Sequence, residues 1–337
     1  MFQYILVAVI IYYTVSYFFL KNAQYLTLPK KKLWNNELIN QALSNQKILK
    51  IAHRGGSREQ LENTIEAFDN ALSLGSDMLE LDVRVTKDDK VVVVHDNKLR
   101  RLCGVNKNIE DLQYSEIPKF KKEIDLHFSP NGQFKASNYE CMRMPLLEEV
   151  FQKYQNTLIN IEIKNPLEKN IQLVNDLIVK FKREDLTIWG CKNYKMSQRL
   201  KQVNPKIKRF FSFTGVLAVL KLFALGLLPF AEIDEDAFEI PIYNKQHYEW
   251  KFIKKYPLNK TLFNIFYFIF LRVAFGHFIG DALFQHLKKR GVLVLFWVIN
   301  DIPTLNQALS YKGCAGVMTD LPSLLSQNIN DSQKKTQ

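Results

Sequence analysis

Met78-Leu79-Glu80-Leu81-Asp82-Val83 is the stretch on which the architecture turns. Side chains in a strand alternate between faces, so Glu80 and Asp82 point one way while Leu79, Leu81 and Val83 point the other, towards packed helices. Two carboxylates turned into a barrel repel each other and lose hydration unless something neutralises them. A divalent cation is the simplest remedy. Ile161-Glu162-Ile163-Lys164 repeats the pattern, with Glu162 and Lys164 on one face of a second apolar strand. Glu162 as a third carboxylate completes a hard, oxygen-rich site of the kind Mg²⁺ or Ca²⁺ takes. The competing reading pairs these acids with Lys or Arg on a solvated face. The position of both patterns at the ends of apolar strands favours the cation site.

Working outward, Ile48 to His53 is a short strand ending in His53-Arg54-Gly55-Gly56. Small residues let backbone approach a ligand, and an arginine fork suits a phosphate. Val94-His95-Asp96 ends the β-branched run Val91 to Val94, a further strand. Two histidines at strand ends beside acidic groups can divide acid and base roles near neutral pH. The other four, His127, His247, His277 and His286, are read as structural or exposed. Further strands are expected at Leu158 to Lys164, Leu186 to Gly190, Lys208 to Phe213, Phe238 to Pro241, Val292 to Ile299 and Gly316 to Thr319, with helices over Glu59 to Leu74 and Leu167 to Phe181. Strands alternating with helices imply parallel pairing, and the number of units suffices for an α/β TIM (β/α)₈ barrel over 48–327. The segment 97–144 fits no unit and is expected as an insertion after the second barrel strand, punctuated by Pro118, Pro130-Asn131-Gly132 and Pro145.

Residues 1–20 carry no charged side chain, and twenty helical residues span about 30 Å, the thickness of a bilayer's hydrocarbon core. A retained transmembrane anchor is expected there, followed by a linker over 21–47 and closed at the other end by a polar tail over 328–337. The rival is a cleaved signal peptide, which wants a basic start and small residues at a cleavage site. Lys21, Lys30, Lys31 and Lys32 follow the apolar segment and no Lys or Arg precedes it, which places the large domain in the cytosol. Asn259-Lys260-Thr261 and Asn330-Asp331-Ser332 are formal glycosylation sequons, so a glycan on either would reverse that orientation. The chain holds 46 Lys and Arg against 34 Asp and Glu, a net charge of +12 that favours anionic partners. No zinc-finger spacing or RRM-type aromatic signature is present, so the charge is assigned to a membrane surface and not to nucleic acid. Four scattered cysteines, Cys103, Cys141, Cys191 and Cys314, form no CxxC pair and are read as reduced.

Taken in order, His53-Arg54-Gly55, Glu62-Asn63-Thr64, Glu80-Leu81-Asp82, His95-Asp96, Glu162-Ile163-Lys164, Trp297-Val298-Ile299-Asn300 and Thr319-Asp320-Leu321-Pro322 resemble the glycerophosphodiester phosphodiesterase family from about Ile48 to Leu325. Within it, Arg143-Met144-Pro145-Leu146-Leu147, Leu186-Thr187-Ile188-Trp189-Gly190, Gly226-Leu227-Leu228-Pro229-Phe230 and the amino-terminal segment are most similar to the membrane-anchored lysophospholipase D members, for which an endoplasmic reticulum location fits. The resemblance implies Glu80, Asp82 and Glu162 as ligands of one divalent cation, Mg²⁺ or Ca²⁺. It implies His53 and His95 as the acid/base pair, and Arg54, Lys164 and Trp297 as phosphate- or substrate-binding residues. Many soluble family members carry a histidine at the end of the sixth barrel strand; here that end reads Glu239-Ile240-Pro241, and no role is transferred to it.

The implied reaction is phosphodiester hydrolysis, with water or the neighbouring free glycerol hydroxyl as nucleophile. The second route passes through a cyclic phosphate. Two apolar stretches, 210–230 and 262–279, are expected to dip into the bilayer near the barrel mouth, which favours a lysophospholipid substrate. The competing readings are deacylated, soluble glycerophosphodiesters as substrate and, in another class, a catalytically inactive membrane scaffold.

Overall fold

The computed structural model describes residues 2–25, 34–126, 132–135, 142–242 and 279–334. Its strands are β1 (Leu49–Ala52), β2 (Met78–Val85), β3 (Val91–Val93), β4 (Glu123–Asp125), β5 (Gln133–Lys135), β6 (Leu158–Ile163), β7 (Thr187–Gly190), β8 (Lys208–Arg209), β9 (Ala237–Pro241), β10 (Leu293–Trp297) and β11 (Gly316–Thr319). Its helices are α1 (Phe2–Lys21), α2 (Glu37–Leu43), α3 (Ile65–Ser73), α4 (Arg100–Cys103), α5 (Leu147–Lys153), α6 (Glu168–Lys180), α7 (Tyr194–Val203), α8 (Phe213–Ala224), α9 (Ile279–Lys289), α10 (Ile302–Ser310) and α11 (Pro322–Lys334).

The parallel strands run in the order β8-β7-β6-β2-β1-β11-β10-β9. A parallel bridge between Phe210 and Ala237, just past β8, brings the two ends of this order together. The result is a nearly closed eight-stranded TIM-type barrel, with each strand followed by a helix. Register sets Glu80 against Asn160 and Asp82 against Glu162, so the polar side chains of β2 and β6 share the interior. Their apolar neighbours Leu79, Leu81, Val83, Ile161 and Ile163 face outward and pack with Phe68, Phe151, Val174 and Leu200 of the surrounding helices. Below the polar layer the interior is filled by Leu49, Ile51, Met78, Leu158, Leu293, Leu295 and Met318. Among the described residues the lower barrel is therefore a packed core, with the polar layer above it towards the carboxyl ends of the strands.

Several expectations change. Val91–Val93 is a strand, but it pairs antiparallel with β2 and stands off the barrel. The expected linker contains α2, whose Ile39 and Ala42 close the bottom of the barrel beside Trp34. Asn36 starts that helix by accepting a hydrogen bond from the Ile39 amide at 3.3 Å. The strand expected over Lys208 to Phe213 ends at Arg209, and Ser212 caps α8 immediately afterwards. The apolar stretch 210–230 supplies α8 and the turn after it, and several of its large apolar side chains are exposed. Most of the second stretch, 262–279, lies outside the described residues, as do His127, His247 and His277. The expected polar tail is helical as far as Lys334. Residues Gln3–Lys21 of α1 are long and apolar enough to cross a membrane, by length and composition.

Candidate active site

β1 delivers His53 to the open end of the barrel, and the chain then turns sharply. Arg54 adopts φ 51°, Gly55 φ 78° and Gly56 φ 95°, all left-handed. A Cβ on Gly55 would lie 2.8 Å from Ala67 and Phe68 of α3, and one on Gly56 would lie 2.6 Å from Pro322. Only glycine passes between those walls. The turn places the Arg54 amide 2.9 Å from Glu80 Oε2, to which it donates.

Glu80, Asp82, Glu162, Arg54 and Lys164 meet in the middle. Lys164 Nζ lies 2.8 Å from Asp82 Oδ1 and 2.5 Å from Glu162 Oε2. Arg54 Nε lies 3.2 Å from Asp82 Oδ2, and its Nη1 lies 3.2 Å from Glu62. Burial works against ionisation of Asp82, but Lys164 and Arg54 outweigh it and hold the carboxyl well below its ordinary range. Glu80 is different. Burial, and then the neighbouring Asp82 charge, push its carboxyl up to about 7. Among the described residues no three His, Cys, Asp or Glu side chains form a ready cation cage, and the Lys164 ammonium bridges two of the expected ligands.

The two histidines sit in contrasting surroundings. His53 Nδ1 is 2.6 Å from Asp320 Oδ1, in a loop that follows β11. Ser57 Oγ and Asn300 Nδ2 donate to the same carboxylate at 2.6 and 2.8 Å. Burial alone would lower the His53 imidazole; Asp320, then Glu80 at 3.9 Å, outweigh it, and its pKa is raised. His95 Nδ1 is 2.7 Å from Asp96, yet burial dominates and lowers its pKa to about 4. Arg101 of α4 donates to both Asp96 and Glu62 at 2.7 Å. Through Glu62 and Arg54 the segment after β3 is thereby wired to Asp82. A cleft of about 600 Å³ opens beside His95, lined by Asp96 and by Arg84, Lys98, Arg100, Arg101 and Lys121.

The sequence-expected residues thus divide. His53, Arg54, Glu80, Asp82, Glu162 and Lys164 are brought into one network, and His95 joins it through Asp96, Arg101 and Glu62. Trp297 stands at the end of β10, opposite Pro241 in register, and packs on the interior apolar cluster at its rim. Glu239 also reaches the interior: its Oε1 accepts from Asn160 Nδ2 at 2.6 Å across the barrel, and burial raises its pKa to about 8. Sequence reasoning had given no role to Glu239, Asp320, Asn300, Asp96 or Arg101. Asp320 had a signal, an acid directly after a short apolar strand. Glu239 had one too, a lone acid at an alternating position in Ala237-Phe238-Glu239-Ile240-Pro241.

Residues 53–324 match the glycerophosphoryl diester phosphodiesterase family. The chain is 40% identical over 275 residues to Lysophospholipase D GDPD1 of Homo sapiens, covering 82% of this chain and 84% of that protein. It is 34% identical to Lysophospholipase D GDPD3 of Mus musculus, covering 97% and 92%. Among solved structures, a glycerophosphodiester phosphodiesterase from Agrobacterium tumefaciens superposes with a TM-score of 0.58 at 17% identity, covering 83% of this chain and all of that one. An Oleispira antarctica phosphodiesterase in complex with sn-glycerol-3-phosphate gives 0.56 at 20%, covering 86% and 99%. With the barrel, the strand-end histidines and the acidic cluster already in place, the match over most of its length means that this chain belongs to the glycerophosphoryl diester phosphodiesterase family.

Proposed function

We propose that the chain is a lysophospholipase D, a phosphodiester hydrolase that releases the head-group alcohol from a lysophospholipid and leaves lysophosphatidic acid. The observation that carries the reading is the contrast between its two histidines. His53 is biased towards imidazolium by Asp320, whereas His95 is biased towards neutral imidazole by burial. Groups pushed apart in this way can serve as acid and base at one pH. The likeness to lysophospholipase D relatives over most of the chain supports the substrate class.

His95 accepts a proton from the nucleophile, which is water or the free glycerol hydroxyl beside the phosphate. His53 gives a proton to the departing alcohol, and Asp320 holds its ring and favours its charge. Arg54 and Lys164 supply positive charge to the phosphate oxygens. Trp297 offers an apolar face at the rim.

The family generally uses a divalent cation. The residues here fit one in charge and donor chemistry, because the buried Glu80 has the like-charged Asp82 as its strongest carboxylate neighbour and is left under-compensated. Glu80, Asp82 and Glu162 would hold the ion, and their oxygen donors suit Mg²⁺ or Ca²⁺. When bound, it supplies charge neutralisation at the phosphate.

Helix α1 serves as a membrane anchor, with the basic residues after it keeping the barrel on the cytosolic side, as for an enzyme of the endoplasmic reticulum. Its packing favours retention over cleavage: Leu20 joins the buried core and its carbonyl meets His286 Nδ1 at 2.8 Å.

The test is release of choline from lysophosphatidylcholine by the purified full chain, with glycerophosphocholine in parallel. The reading requires EDTA-sensitive release from the lysolipid, restored by Mg²⁺ or Ca²⁺. Turnover of glycerophosphocholine alone moves the substrate to soluble diesters, and no turnover with any divalent cation overturns the enzyme reading.

A further inference from the structure

Helix α1 does not hang from the barrel by a tether. Along its second half it is bonded to the turn that ends α8. Tyr12 Oη donates to the Leu225 carbonyl at 2.6 Å, Tyr13 Oη to Ala224 at 3.4 Å and Ser16 Oγ to Gly226 at 2.7 Å. These carbonyls lie at the carboxyl end of α8, where a helix leaves its last C=O groups without partners of its own. Gly226, at φ 69°, makes the approach possible: a Cβ there would stand 3.0 Å from Ser16 Oγ. Further along, Phe19 meets Phe230 edge to face, and Lys289 Nζ donates to the Lys21 carbonyl at 2.7 Å.

The docked half of α1 is still apolar and exposed on its outer side, at Tyr13, Val15, Tyr17 and Phe18. The surface it grips is of the same kind. Phe213, Leu217, Leu225, Leu227 and Phe230 are each more than two-fifths exposed, and Lys221 is the one charge among them, on a stem long enough to carry its ammonium away from an apolar surface. This strip starts close to the acidic cluster, because the Phe213 amide donates to the Lys192 carbonyl and Lys192 Nζ lies 3.8 Å from Glu162.

The geometry points to a single lipid-embedded surface built jointly by α1 and Phe213–Phe230, with bilayer hydrocarbon as its occupant. It rests on the anchor reading above and extends it: the barrel itself enters the membrane along α8. Two observations carry it. If α1 lies in hydrocarbon, its docked half takes the turn at 224–226 in with it, since both occupy one level. And the hydroxyls of Tyr12, Tyr13 and Ser16 are matched with the α8 terminal carbonyls, the mutual satisfaction that an apolar solvent demands and water does not. A lysolipid can then keep its acyl chain in the bilayer beside α8 while its phosphodiester reaches the strand ends.

The full chain is reconstituted in phosphatidylcholine vesicles containing a phospholipid with a diazirine in mid-acyl chain, irradiated, and the adducts mapped by mass spectrometry. Exposed apolar residues of a helix that does not carry the strip, Leu167 at the start of α6 and Val179 near its end, are the internal controls. Adducts are expected on both α1 and Phe213–Phe230, at yields roughly tenfold above the controls. Adducts on α1 with control-level yields on Phe213–Phe230 overturn the joint surface and leave the anchor standing. Control-level yields on both overturn the anchor as well.

Discussion

Replacing Asp320 by Asn removes one charge and keeps the shape. The carboxylate lies 2.6 Å from His53 Nδ1, and both side chains are buried. A hydrogen bond to a charged partner is worth about 1.5–3 kcal/mol. At about 1.4 kcal/mol per pH unit, its loss lowers the His53 pKa by about one to two units. Burial and Arg54 already act in that direction. A general acid loses activity as pH rises through its pKa. The alkaline limb of kcat/KM should therefore move down by about one to two pH units, and the variant should be about ten- to a hundredfold slower at pH values above the parent's own limb. The deficit should shrink as pH falls and the imidazole regains its proton. The assay is choline release from lysophosphatidylcholine across the pH range, with thermal unfolding as a check on the fold. Had His53 been the base, the same substitution would move the acid limb and spare the alkaline one. An unmoved alkaline limb in a folded variant refutes the assignment.

His95 should set the other limb: with its pKa lowered to about 4 it is already neutral at mildly acidic pH, so activity should fall only as pH drops towards that value, and His95→Ala should cost about a hundredfold or more in kcat with little change in melting temperature. Glu80→Gln addresses stability. A carboxyl whose folded pKa lies above its unfolded value loses stability for the protein as pH rises from about 4.5 through about 7. Without divalent cations the variant should be more stable than the parent at pH 8 by about 1–3 kcal/mol in denaturant titrations, and it should lose the stabilisation that added Mg²⁺ or Ca²⁺ gives the parent; unchanged stability in both conditions would contradict the placement of the ion. Gly56→Ala puts a methyl group 2.6 Å from Pro322 at a left-handed φ, and should destabilise by about 1–3 kcal/mol and depress turnover, read by thermal unfolding and choline release.

Much of the site was legible because strand alternation is a local rule. Glu80 and Asp82, two residues apart, must share a face whatever the rest of the chain does, and Glu162 with Lys164 follows the same logic. What strand periodicity cannot supply is the partner across the barrel. Asp320 was visible as an acid after a strand, but its pairing with His53 arises because β1 and β11 are neighbours. Lys164 was expected to meet phosphate; that it also bridges Asp82 and Glu162 depends on the register of β6 on β2. Val91–Val93 has the composition of a barrel strand, and only the short turn after β2 makes it fold back antiparallel. Helix α2 was hidden by its polar setting, since Ile39 and Ala42 are too few to advertise an amphipathic face in a seven-residue helix. Glu239 was read as a departure from a familiar histidine, whereas its bond to Asn160 places it within the polar layer of the interior.

The pairing of His53 with Asp320 joins groups 267 residues apart, and so it also concerns when the enzyme becomes active. Contacts of such high sequence separation meet a large loop-closure cost before they reward folding, and here the partner is also made late, since Asp320 follows all eight barrel strands in the chain. On the proposed roles, a chain that stops short of Asp320 keeps Glu80, Asp82 and His95 but lacks the group that charges its acid. The proposed acid is thus complete only once the last βα unit is in place, and on that reading a barrel still open at the β1–β11 seam is inactive.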